Sequence, residues 1–160
     1  MNKSYIMKSI NKVSLCSVIV LSSFTLGIYT QKAEAATPNT NKLISVGEKY
    51  IGTPYKYGAP AGITSAFDCS SFTQFLFKGI KVNLPRTSAA QAKVGKKVDR
   101  GSLSKGDLVF FNTNGTSISH VAIYAGNNKI IQSSRQGVNV TSINSSYWSK
   151  RYVTARRVLS

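Results

Sequence analysis

A chain of 160 residues, 42% hydrophobic and 16% charged, suits one soluble domain and excludes large multidomain architectures. Its 21 Lys and Arg against five Asp and Glu give a net charge of +16, a surface drawn to polyanions. The scarcity of acids also argues against a paired-carboxylate glycosidase or a zinc peptidase, both of which need several carboxylate or imidazole groups converging.

Lys3, Lys8 and Lys12 precede a mostly apolar run from Val13 to Tyr29, and Ala33-Glu34-Ala35 sets small residues two apart. This is the pattern of a secretory signal peptide over residues 1–35, so a secreted protein is expected. A membrane-spanning helix is the competing reading, but Ser14, Ser17, Ser22, Ser23 and Thr25 interrupt the run, and stable membrane insertion is not expected. Cleavage after Ala35 leaves 125 residues with 17 basic and four acidic side chains, a net +13. Outside a cell the matching polyanions are teichoic acids, anionic lipid headgroups or stray nucleic acid. No zinc spacing, helix-turn-helix or aromatic-interleaved basic motif is present, so nucleic acid is not an expected partner.

After a polar leader at 36–41, a single domain over 42–160 is expected. Leu43, Ile44, Val46, Tyr50 and Ile51 predict an amphipathic helix over 42–51, capped by Thr40 or Asn41 and ended by Gly52 and Pro54. Residues 52–67, punctuated by Gly and Pro, read as a loop carrying Tyr55 and Tyr57. A second helix follows Asp68, a good N-cap, and stops at Gly79. A short third helix is capped by Thr87 or Ser88. The period then changes: 108–111, 120–124, 129–133, 138–141 and 152–158 are short β-branched and aromatic runs. Helices first and strands afterwards predict an α+β domain with one antiparallel sheet.

The chain has one histidine, His120, and beyond the signal segment one cysteine, Cys69. Following the cap Asp68, Cys69 falls in the first helical turn, where free backbone N–H groups and the helix dipole favour thiolate. A neighbouring imidazolium lowers a thiol further. A three-residue loop at 125–127 predicts that His120 and Gln132 sit opposite each other on one sheet face. The Gln132 amide then fixes the ring tautomer and completes a triad in outline.

Five strings carry a resemblance: Ile-Gly-Thr-Pro-Tyr-Lys-Tyr-Gly at 51–58, Phe-Asp-Cys-Ser-Ser-Phe at 67–72, Leu-Pro-Arg-Thr-Ser at 84–88, Gly-Asp-Leu-Val-Phe-Phe at 106–111 and Ser-His-Val-Ala-Ile-Tyr at 119–124. In this order they resemble the motifs of the NlpC/P60 family, papain-like cysteine peptidases of bacterial cell walls. The resemblance implies an NlpC-type fold with N-terminal helices packed on the sheet. It implies Cys69 as nucleophile, His120 as base, Gln132 as the third polar residue, Tyr55 at the oxyanion site, and Asp68 and Ser70 lining the site for the substrate peptide. Tyr57 is the rival to Tyr55. Two positions depart from the family: Gln132 stands where histidine is commoner, and Ser71 where glycine is usual.

The implied activity is that of a secreted or wall-associated peptidoglycan hydrolase cutting the γ-D-glutamyl–diamino acid bond of stem peptides. It would work as a monomer, with no metal or cofactor, and with anionic wall polymers as a further partner. The alternatives are an amidase or crossbridge endopeptidase of the CHAP class, and a non-catalytic wall-binding module.

Overall fold

The computed structural model describes residues 37–159. The expected signal segment lies outside the described residues. Helix α1 spans Pro38–Glu48. Its cap is Thr37, whose side chain accepts from Thr40 N, with Pro38 pre-set for the first turn. Residues 38–41 are therefore not a leader but the opening turn of the domain, and Thr40 is buried. Helix α2 spans Cys69–Lys78 with Gly79 as C-cap, and α3 spans Ser88–Gln91 behind the cap Thr87.

Six strands follow: β1 (Lys96–Val98), β2 (Leu108–Phe111), β3 (His120–Gly126), β4 (Lys129–Ser134), β5 (Gly137–Ser142) and β6 (Tyr152–Arg157). They form one antiparallel sheet in the order β1-β6-β2-β3-β4-β5. β1, a 3-10 turn at Arg100–Ser102 and helix α4 (Ser146–Arg151) are additions to the elements read from sequence. β1 is three residues long with two exposed lysines, too short and polar for a periodic signal.

Both faces of the central strands are covered, which is why β2 reads as four consecutive apolar residues rather than an alternation. Leu108, Phe110, Val121, Ile123 and Ile131 pack beneath α1 and α2 with Leu43, Phe67, Phe72 and Leu76. On the reverse face Val109, Phe111, Ala122 and Ile130 meet Ile143 and Trp148.

The loop before α2 is fastened at both ends. Gly52 N donates to Val138 O and Val138 N to Thr53 O, each at 2.9 Å, while Tyr55 bridges Phe67. The first of these attachments needs Gly137. Its φ is +82°, and a Cβ there would lie 2.7 Å from Thr53 O.

The β3–β4 hairpin differs from expectation in register. It closes on Asn127 and Asn128, both at positive φ, and the pairing shifts between Tyr124 and Gly126. Ile123 faces Ile131, so His120 and Gln132 are diagonal rather than opposite. Relative to the expected pairing the slip is an even number of residues, which leaves both side chains on the same face.

Candidate active site

Asp68 places Cys69 at the first position of α2. The cap is a full box: Asp68 Oδ1 accepts from Ser71 N at 2.7 Å, and Ser71 Oγ accepts from Asp68 N at 3.0 Å. Ser71, where the family usually has glycine, thus closes the helix start. Cys69 is 8% exposed. Backbone N–H groups of Val121, Ser70 and Cys69 itself act on its sulfur. Val121 is the second residue of β3, so the thiol meets the sheet at the residue that follows His120.

His120 lies in the layer formed by Phe111, Trp148 and Gln132. The Trp148 ring stacks on the imidazole at 4.9 Å between centroids and 27° between planes. Phe111 stands 6.0 Å away. Gln132 Oε1 is 2.7 Å from His120 Nε2 and accepts its hydrogen, which leaves Nδ1 as the acceptor of the neutral ring.

Burial dominates the electrostatics. It pushes the Cys69 thiol above its ordinary value, assisted by the Asp68 charge and opposed by the N–H groups at the sulfur. It also lowers His120 to about 4, against a smaller raising effect of the bond to Gln132. The helix-start N–H groups favour thiolate as the sequence predicts, and burial opposes them with the larger effect. Desolvation penalises both charged forms and so acts against a thiolate–imidazolium pair.

Tyr55, not Tyr57, faces this group. Tyr57 is 89% exposed, whereas Tyr55 is half-buried and feels Cys69 and Asp68. Burial first, then those two charges, raise the Tyr55 phenol, so it remains a hydrogen-bond donor.

Asp68 and Ser70 are each 5% exposed and already engaged. Both Asp68 oxygens accept from Arg86, whose Nη1 also donates to Ser70 Oγ at 2.8 Å and whose Nη2 donates to Ala59 O at 2.7 Å. Burial pushes the Asp68 carboxyl up. Arg86, Ser71 N and Ser70 more than offset this and hold it below the usual carboxylate range. These two residues and Arg86 thus form one hydrogen-bonded cluster next to Cys69.

This helix-start cysteine beside a strand-borne histidine accompanies a match to the family model described as NlpC/P60 family, over residues 52–157. The chain belongs to the NlpC/P60 family. It is 41% identical over 119 residues to a probable peptidoglycan endopeptidase LytE of Bacillus subtilis, covering 74% of this chain and 34% of that protein. It is 35% identical over 135 residues to a gamma-D-glutamyl-L-lysine dipeptidyl-peptidase of Bacillus cereus, covering 82% and 40%. A crystal structure of an NlpC/P60 family protein from Bacillus cereus superimposes with a TM-score of 0.72 at 36% identity, over 78% of this chain and 41% of that one. The fold is thus the α+β papain-like one of NlpC/P60 domains. The chain spans between 34% and 62% of the length of the curated relatives it matches first.

Within this NlpC/P60 domain three supporting residues are not assigned from sequence. Arg86 sits in one of the motif strings, and its signal is the need of Asp68 for a cation. Gln91 is fully buried and ties α3 to α2, donating to Ser70 O and Pro85 O and accepting from Thr73. Trp148 lies on α4, which the sequence reading lacks. As the sole tryptophan, it offers no periodic pattern to read.

Proposed function

We propose that this chain is a cysteine endopeptidase of bacterial peptidoglycan that cleaves the γ-D-glutamyl–diamino acid bond of stem peptides. The observation that carries the reading is Cys69 at the start of α2, against the β3 backbone next to a His120 whose Nε2 is held by Gln132 at 2.7 Å. The names of the two Bacillus relatives support the substrate class and the bond.

In this reading Cys69 Sγ gives its proton to His120 Nδ1, and the thiolate attacks the amide carbonyl carbon. The developing oxyanion accepts from the Cys69 N–H and the Tyr55 hydroxyl. The imidazolium then protonates the leaving amine, and the C–N bond breaks to give a thioester. Water, deprotonated by Nδ1, attacks the thioester, releasing the carboxylic acid and restoring the thiol. Burial raises the Cys69 thiol and lowers His120, and so favours the proton on sulfur.

Mass spectrometry of fragments from purified walls tests this. The protein should free a new amine on the diamino acid, and Cys69→Ser and His120→Ala should each abolish the product while remaining folded. Alkylation should inactivate fastest at Cys69. Cleavage at the crossbridge or the sugar–peptide amide would replace the specificity with that of the CHAP class. Binding without any cut would leave a wall-binding module.

We also propose export, supported by the charged start, apolar middle and small-residue exit of residues 1–35. The N-terminus of protein recovered from the medium or the wall should be Ala36.

A further inference from the structure

We propose that Asn139 is a positioning residue that sets the His120 tautomer through the orientation of the Gln132 amide. The inference rests on the peptidase reading of Cys69 and His120. A glutamine in the third position has a weakness that a histidine or carboxylate lacks: its two ends are nearly isosteric. Turned about, Gln132 would offer an NH2 to His120 Nε2, placing the ring hydrogen on Nδ1, where it could not take the proton from sulfur.

The structure supplies an anchor for the amide, and the anchor begins at a backbone carbonyl. Gly137 O can only accept, and Asn139 Nδ2 lies 2.8 Å from it, so that end of Asn139 is the NH2. Its other hydrogen goes to Ser134 Oγ, also at 2.8 Å. Asn139 Oδ1 therefore faces Gln132, whose Nε2 is the near group at 3.4 Å. Reversing Gln132 would set two oxygens against each other. With Nε2 directed to Asn139, Oε1 points at His120, and an amide oxygen requires the hydrogen to be on His120 Nε2. The chain of acceptors and donors thus runs from Gly137 O to a free lone pair on His120 Nδ1.

Backbone pairing puts the two amides together, since Gln132 and Asn139 are directly opposite in the β4–β5 register. Asn139 is half-buried on the edge strand β5, so its truncation leaves the core untouched.

Because the chain has a single histidine, nitrogen-15 NMR reads the tautomer without assignment ambiguity. The wild-type neutral ring should be the Nε2–H form, and Asn139→Ala should give a mixture of both. Turnover should fall by about two- to tenfold, the range an ordinary hydrogen bond carries, with KM little changed. In a Gln132→Glu background the carboxylate has no wrong end, so adding Asn139→Ala should then cost less than about twofold. Asn139→Ser serves the same comparison should the alanine variant misfold.

An Nδ1–H ring in the wild type would overturn the proposal, as would an unchanged spectrum in both Asn139 variants. An equal loss of turnover in the wild-type and Gln132→Glu backgrounds would reassign Asn139 to a structural role. The spectrum can be taken in Cys69→Ala protein, so it is independent of catalysis. Failure of the peptidase reading would be visible separately, as activity surviving Cys69→Ser.

Discussion

Acidification from pH 7.5 to 5 should destabilise the protein through one side chain. His120 is the only histidine in the chain, and no other side chain type ordinarily titrates in that interval. In the unfolded chain its pKa is near 6.5, whereas burial lowers it to about 4 in the fold. Between those values the unfolded state binds the extra proton, so the depressed pKa gives stability that is complete above 6.5 and is lost as pH falls toward 4. Linkage puts the loss at pH 5 at about 2 kcal/mol, rising to about 3 kcal/mol below pH 4. For a domain of this size that is a Tm decrease on the order of 8 °C at pH 5. The measurement is urea unfolding at half-unit steps from pH 7.5 to 5, on wild type and His120→Gln. Glutamine does not titrate, so whatever the variant's baseline, its stability should be flat over the interval. A flat wild type would refute the burial argument. An unchanged slope in His120→Gln would place the titrating group elsewhere. Stopping at pH 5 keeps Asp68 out of the comparison, since its depressed pKa withdraws stability only at lower pH.

Arg86→Ala should cost about 2 kcal/mol in the same unfolding assay, because it strips the 5%-exposed Asp68 of a charged two-point partner. Arg86→Lys should recover only part of this, a point charge being a poor substitute for the fork. Trp148→Ala should admit water to the imidazole and move the acid limb of kcat/KM from near 4 upward toward 6.5, while Trp148→Phe should hold it nearly in place. Retention on intact walls should fall as salt rises, since exposed charges are screened over about 8 Å at physiological ionic strength. Hydrolysis of a small soluble stem peptide should respond much less. Equal retention with and without teichoic acid, indifferent to salt, would leave the basic surface without a targeting role.

What the sequence disclosed about the site follows from how local each cause is. The position of Cys69 is legible because an N-cap is a four-residue event. Asp68, Cys69 and Ser71 contain in themselves the reason for the helix start, and that start presents the sulfur. The strands of the sheet centre were legible because Leu108 to Phe111 are buried on both faces and leave an uninterrupted apolar run. The apolar stripe that marks α1 starts only at Leu43, whereas the helix itself starts at Pro38, a favoured first helical residue behind Thr37. The pairing of His120 with Gln132 was foreseen for an imperfect reason. The sequence predicts a three-residue turn and the hairpin closes on Asn127 and Asn128, but parity alone decides which face a side chain takes, and parity is the same in both.

The electrostatics of the pair ran the other way. A helix start and an imidazole are sequence-visible and favour thiolate, whereas burial depends on Phe111 and Trp148 closing on His120 and on the β3 backbone closing on Cys69. No local pattern announces that closure, yet it has the larger effect on both groups. The balance has a functional consequence. Burial works against a standing thiolate–imidazolium pair. In the proposed mechanism the developing oxyanion is shared with the Tyr55 hydroxyl, which burial keeps protonated. On the same mechanism, a thiol raised by burial is less open to oxidation than a standing thiolate.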